Sequence, residues 1–228
     1  PTFAGSMFLP EVRPSGAADG AFARALRGTG AVFAGKTHMH EFAYGITGEN
    51  PHHGDCEVPG KPGRTTGGSS SGSAAAVAAG IVPFALASDT GGSVRVPAAF
   101  CGLHGFRLTP GQAWIADAFP LAPTFDTAGW FTRGADDMRA TLAALVPAEA
   151  SHHGLRGFYL ELPGVDPEVA YACRAAAAAL ADHAPADVAD TLLAGFAPAL
   201  EAYHAIVALE AWQVHRSWAE AKRSKYDP

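Results

Sequence analysis

The spacing of apolar positions divides this chain into short helices and short apolar runs separated by turn residues. Phe22, Ala25 and Leu26 recur at helical spacing within Ala17 to Gly28, with Asp19 near the start and Arg24 and Arg27 near the end. That pattern predicts an amphipathic helix whose charges suit its dipole. Ala31 to Ala34, after Gly30, is a continuous apolar run and predicts a buried strand. Ser73 to Gly80 is alanine-rich with almost no side-chain volume, which predicts a helix able to pack tightly between layers and stopped by its glycine. Ile81 to Ala87 is a second apolar run between turn signals, read here as a central strand buried on both faces, although a run this short also suits a helix.

Further along, Phe106 to Leu108 predicts an edge strand ended by Thr109-Pro110-Gly111. Gly134 to Val146 predicts a helix with Asp136 and Asp137 in its first turn and Met138, Leu142 and Leu145 on its buried face. Between these lie two long connections, Met39 to Gly67 and Gln112 to Trp130, and Pro1 to Gly16 reads as a loop. Connections of such length inside a compact domain are commonly functional or mobile. Beyond residue 150, Gly157 to Leu162 predicts a strand, Pro167 to His183 a helix, Val188 to Leu193 a strand or a helix, and Ala199 to Lys225 one long helix. Helices alternating with apolar runs place the chain in the α/β class. No internal repeat or low-complexity linker marks a boundary, so residues 1–228 read as a single domain.

Composition narrows the function. With 228 residues and 48% hydrophobic content the chain can bury a sizeable core. Its net charge is −6, and its densest basic run is Lys222-Arg223-Ser224-Lys225, which argues against a nucleic-acid partner. Cys56, Cys101 and Cys173 are odd in number and irregularly spaced, which argues against a disulfide framework and suits the cytoplasm. No apolar run approaches the ~20 residues that cross a bilayer, so no membrane is expected. His38, His40, His52 and His53 invite a metal reading, but no carboxylate or cysteine stands at ligand spacing, and the expectation is no metal and no cofactor.

Two loops carry the chemistry. Gly67-Gly68-Ser69-Ser70-Ser71-Gly72-Ser73 supplies hydroxyls and permissive backbone ahead of the alanine-rich helix. Ser88-Asp89-Thr90-Gly91-Gly92-Ser93 leaves the predicted central strand at its carboxyl end, where open α/β sheets place their ligand sites. Successive amides around two glycines can converge into an anion-binding nest. A serine at the end of such a nest suits acyl transfer, with the hydroxyl attacking a carbonyl and the amides stabilising the oxygen as it becomes negative. Arg95 is placed to pair with Asp89 and hold the loop open.

GGSSSGSAAAVAAG followed by SDTGGSVRVPAAFCGLHGFRLTPG resembles the signature of the amidase signature family, and the 24 residues between Ser69 and Ser93 match that family's spacing. GKTHMHEFAYGITGENPHHGDCEVPGKPGRTTGG upstream and TFDTAGWFTRGADDM downstream extend the resemblance over about residues 32–145. The resemblance implies a mixed, largely buried central sheet flanked by helices on both faces, incomplete here at both ends. It further implies Ser93 as the acylated nucleophile and Ser69, after a cis peptide bond, as the proton relay to a neutral lysine. The amides of Thr90, Gly91, Gly92 and Ser93 would form the oxyanion hole, with Ser70, Asp89 and Arg95 in support. No residue matches the family's lysine, which aligns upstream of Pro1, and Lys36 aligns with a different one. Phe42, Ala43 and Tyr44 are candidate acyl-pocket residues, and Asp126 is placed to orient the segment that packs under the catalytic loops.

The function expected is thus a carbon-nitrogen hydrolase acting on a small-molecule linear amide, with a homodimer left open. Two other readings stand beside it. A non-catalytic relative or an amidotransferase subunit fits a chain without the matching lysine. A phosphate-binding module at the helix after the first loop is physically reasonable, but the loop lacks the P-loop and dinucleotide patterns.

Overall fold

The computed structural model describes residues 3–12, 18–111, 113–146 and 157–226. The chain divides into two compact units, one of Pro1–Pro147 with Val207–Pro228 and the other of Ala148–Ile206.

The first unit is built on three strands. In chain order its elements are α1 (Leu9–Val12), α2 (Ala21–Gly28), α3 (Ser71–Ala78), β1 (Phe84–Asp89), α4 (Arg95–Cys101), β2 (His104–Arg107), β3 (Thr127–Thr132) and α5 (Ala135–Leu145). The strand order is β1-β3-β2, and both pairings are antiparallel. Trp130 stands opposite Leu86 on one side and Phe106 on the other.

Strand alternation explains the layers. Successive residues of a strand face opposite sides, so Trp130 and Phe131 serve two different cores. Phe131 packs with Ala74 and Val77 of α3 and Val94 and Ala98 around α4. Trp130 packs with Leu26 of α2 and Leu145 of α5, and Phe22, Met138 and Leu142 join them. Its indole N–H donates to Thr141 Oγ1 at 2.9 Å, which satisfies the one polar atom that burial would otherwise strand. Helices therefore cover both faces of the sheet. A third cluster, Phe8, Leu9 and Phe42 with Phe119, Trp218 and Tyr226, brings the last helix to the start of the chain.

Two expectations are corrected. The central strand of the three is β3, every residue of which is buried, while β1 lies at an edge. Asp126, Thr127 and Gly129 read as turn residues and concealed a strand that begins inside the predicted connection. Ala31–Ala34 forms no strand, and Val32 is 91% exposed. An apolar run becomes a strand only where another edge accepts its backbone hydrogen bonds, and no described strand pairs with this one. Phe33 instead lies under the Arg27 guanidinium, 4.6 Å from its ring centroid. The predicted helix over 17–28 is found over Ala21–Gly28, and its first residue lies outside the described ones.

In the second unit, β4 (Phe158–Tyr159) and β5 (Asp182–His183) pair in parallel around α6 (Pro167–Ala177). Asp166 caps α6 by accepting the Glu168 N–H at 2.9 Å, with Pro167 at the first helical position. The helix predicted to His183 thus stops early and gives way to a short strand. Val188–Leu193 is helical within α7 (Ala186–Phe196). The long helix predicted to Lys225 is α8 (Ala199–Ala219), followed by a single 3-10 turn at Arg223–Lys225. Over Ala186–Ala219 the chain is long and apolar enough, by length and composition, to cross a bilayer, which corrects the expectation that no run is. Counting only unbroken apolar residues missed it, because alanines and a few charges interrupt the run.

Candidate active site

The first loop is held from outside by the long connection that precedes it. His40 N–H donates to Ser69 O at 3.0 Å, and Gly72 N–H donates to His38 O at 3.0 Å, so residues 38–40 run alongside residues 69–72. Gly68 N–H donates to Ile46 O at 2.7 Å. Gly48, at φ +78°, approaches so closely that a Cβ on it would stand 2.6 Å from Gly67 O. Only glycine allows both that conformation and that approach. The connection is itself pinned by buried Asn50, whose Nδ2 donates to Gly5 O and Met39 O, each at 2.9 Å. Asn50 Oδ1 accepts the N–H groups of His52 at 2.9 Å and His53 at 3.1 Å.

Within this brace the peptide bond between Gly68 and Ser69 is cis. Ser69 is fully buried, and its Oγ has no hydrogen-bond partner among the described residues. The serines do not cap α3 as their composition suggested, since the residue at its N-cap, Ser70, makes no side-chain cap. Ser70 Oγ donates instead to Ser88 O at 3.3 Å, and Ser73 Oγ to Leu86 O at 2.9 Å, so both tie the helix start to β1. The Ser70 N–H donates to Ser93 O at 3.4 Å. The two loops predicted to act together are therefore in contact.

The second loop is organised by Asp89, which is fully buried. Its Oδ1 accepts from Gly92 N–H at 2.8 Å, Arg95 Nη2 at 2.9 Å and Arg107 Nε at 3.1 Å. Its Oδ2 accepts from Val94 N–H at 3.0 Å, Arg95 N–H at 3.3 Å and Arg95 Nε at 3.1 Å. Burial alone would raise the Asp89 pKa, but the hydrogen bonds from Arg95 and Val94 and the Arg95 charge hold it below the usual carboxylate value. The Asp89–Arg95 pairing read from sequence is present, and the ring of donors around it fixes where residues 90–93 travel.

That ring changes one expectation. The Gly92 N–H belongs to Asp89, so among the four amides expected to line an anion hollow it points the wrong way. Thr90, Gly91 and Ser93 keep amides that Asp89 does not take. Gly91 is exposed and Ser93 is buried. Thr90 is held by its hydroxyl, which donates to Asp126 Oδ1, while Asp126 Oδ2 accepts the Leu121 N–H at 2.8 Å and the Ala122 N–H at 3.1 Å. Asp126 thus orients the connection before β3, as its position suggested.

Other candidates fall elsewhere. Lys36 is exposed and lacks the burial that would keep an amine neutral. Among the described residues no three His, Cys, Asp or Glu side chains gather as a metal site, and His52 Nε2 lies 3.2 Å from the Glu41 carboxylate. Cys56, Cys101 and Cys173 are free. Burial pushes the Cys101 thiol up to about 11, which leaves it protonated and a poor nucleophile near neutral pH. Phe42 is buried in the aromatic cluster, whereas Tyr44 is exposed. Sequence reasoning missed Arg107 and Asn50. Arg107 sits four residues before an obvious turn glycine with nothing local to pair with, and its partner is 18 residues away. The Asn50-Pro51 dipeptide signals a turn, which the amide does organise, but its long-range bonds left no mark.

A hydroxyl buried beside amides that Asp89 leaves untaken can attack a carbonyl and stabilise the oxyanion that results; each such donor contributes about 3–4 kcal/mol where measured. A model of the family described as "Amidase" matches residues 1–156. The indoleacetamide hydrolase of Pseudomonas savastanoi is 53% identical over 119 residues, which is 52% of this chain and 26% of that protein. Amidase 1 of Oryza sativa subsp. japonica is 51% identical over 118 residues, 52% of this chain and 27% of that protein. A crystal structure of an amidase superposes over 100% of this chain with a TM-score of 0.81 at 33% identity, and the chain covers 53% of it. The matched part of the chain thus spans about a quarter of the length of these curated relatives.

Proposed function

This chain belongs to the amidase family, and on that premise we propose that it carries the serine machinery of a carbon-nitrogen hydrolase that cleaves a small carboxamide. Ser93 Oγ attacks the amide carbonyl and forms a tetrahedral adduct. The amides of Thr90, Gly91 and Ser93 receive its oxyanion, while Gly92 serves Asp89. Ser69 takes the proton from Ser93 and returns it to the departing amine, so that the C–N bond breaks and an acyl-serine ester remains. Water then adds to the ester by the same proton route and releases the carboxylic acid. By resemblance the base behind Ser69 is a lysine that aligns before Pro1.

The observation that carries this reading is the contact between Ser70 N–H and Ser93 O, with Ser69 and Ser93 both buried on either side of it. Two hydroxyls that exchange a proton must lie in one water-poor place, and this contact supports that arrangement. The relatives named indoleacetamide hydrolase suggest an amide with an apolar acyl group as the first substrate class to try. The test is ammonia release from a panel of primary arylacetamides by the full-length protein. Release that disappears in Ser93→Ala and falls strongly in Ser69→Ala is the expected result; release unaffected by Ser93→Ala would refute the assignment.

A further inference from the structure

We infer that Val96 is a positioning residue that sets the separation of the Ser69 and Ser93 loops by standing between them, an inference that rests on the reading of those two serines given above. Val96 lies in the first turn of α4 and is half-buried. Its two methyl groups have different neighbours. A Cβ built on Gly67 would stand 3.1 Å from Val96 Cγ1, and one built on Gly92 would stand 3.0 Å from Val96 Cγ2. Both glycines have positive φ, +71° at Gly67 and +145° at Gly92, and each lies within two residues of a serine of the proposed pair. The contact with Gly92 follows from one helical turn, since Val96 N–H donates to Gly92 O at 2.7 Å. The contact with Gly67 crosses from one loop to the other.

The direct polar tie between the loops is weak by comparison. Ser70 N–H reaches Ser93 O at 3.4 Å, beyond the usual range for an N–H···O bond. Side-chain packing must therefore supply most of the restraint on their distance. A β-branched residue suits the task, because in a helix its χ1 has one strongly preferred rotamer and its two methyls hold fixed directions. Substrate and nucleophile geometry tolerates little error, and a displacement near 1 Å is enough to slow a reaction on the order of a hundredfold. Phe100 provides an internal comparison: its Cδ2 lies 3.2 Å from the same Gly67 position, yet it is absent from the contacts of Gly92. Phe100 braces one loop and Val96 braces both.

Hydrogen exchange read by mass spectrometry on the full-length protein tests this without requiring catalysis. Val96→Ala should speed exchange about tenfold in peptides covering both 68–72 and 90–94, a local opening of both loops. Phe100→Ala should do so only at 68–72, and Val96→Thr, which keeps the branched shape, should restore the native rates. Val96→Ile, which retains folding volume, should disturb both loops in the same sense if Val96→Ala proves too unstable to handle. Rapid exchange confined to one loop in Val96→Ala, or an equal response of 90–94 to Phe100→Ala, overturns the inference. In parallel, a fluorophosphonate should label Ser93 about tenfold more slowly in Val96→Ala than in wild type. Absence of labelling in the wild type would count against the hydrolase reading alone, because the exchange rates still decide the role of Val96.

Discussion

The Nε–H of Arg107 donates to Asp89 Oδ1 at 3.1 Å, and its Nη2 donates to Phe125 O at 2.8 Å, so one guanidinium joins β2, the loop carrying Ser93 and the connection before β3. This places a fixed positive charge against a buried carboxylate that already has five other hydrogen bonds. The loop is rigid because Asp89 is saturated with donors.

Asp89→Asn should therefore be strongly destabilising, by about 3–5 kcal/mol, since it leaves two guanidiniums facing an uncharged amide. Arg95→Gln should cost less, because Arg95 is more than half exposed and its pairing is screened. Chemical denaturation of the three proteins at neutral pH checks the order. The pH dependence follows from the sign of the shift. The folded carboxylate has the lower pKa, so its contribution is complete above the ordinary carboxylate value and is lost as pH falls through the folded one. The gap between wild type and Asp89→Asn should narrow as the pH is taken below about 4. A gap that stays constant into that range would contradict the account.

Asn50→Ala should cost about 2–4 kcal/mol, because it removes four hydrogen bonds at a fully buried position and leaves the Gly5 and Met39 carbonyls unpaired. The loss should appear first in the connection that braces Ser69. Limited proteolysis within 41–67 should accelerate before the global melting temperature is reached. Asn50→Asp should fare no better, since a carboxylate cannot donate to either carbonyl. Wild-type resistance to proteolysis in Asn50→Ala would show that the brace does not depend on this side chain.

His215 should make the protein acid-sensitive. Burial drives its pKa down to about 4 from 6.5, and it sits among Phe42, Phe119, Trp218 and Tyr226. The unfolded chain then binds the proton more readily, so stability falls as pH drops from about 6.5 towards 4 and changes no further below that through this group. The full effect is on the order of 3 kcal/mol. In His215→Phe the melting temperature should lose less between pH 7 and pH 5 than in wild type. Equal losses in both proteins would mean that His215 is not the group responsible.

Much of the site was legible in the sequence because its determinants are local. Ser69 and Ser93 were found from two glycine-serine loops at a fixed spacing, and Asp89 with Arg95 from six residues of one loop. The two faces of the sheet were foreshadowed by Met138, Leu142 and Leu145 on one helix and by the alanines of another. What escaped was long-range. Arg107 meets Asp89 only because β2 and β1 flank the same strand, and pairing across a sheet leaves no periodic trace in either segment. β3 was hidden because Thr127-Ala128-Gly129 carries turn-like residues, while Trp130 and Phe131 show their alternation only once both faces are known to be covered. Ala31–Ala34 erred in the other direction: a strand-like composition gave no strand where no neighbouring edge accepts its backbone. The Gly92 amide was lost from the expected hollow because its acceptor, Asp89 Oδ1, competes at a distance that composition does not encode.

The most direct test of the central claim is the intact mass of the full-length protein after reaction with an alkyl fluorophosphonate. One adduct is expected, located on Ser93 by peptide mapping, formed more slowly in Ser69→Ala and absent from Ser93→Ala. An adduct of the same mass on Ser93→Ala, or one mapped to another residue in the wild type, would show that Ser93 is not the nucleophile.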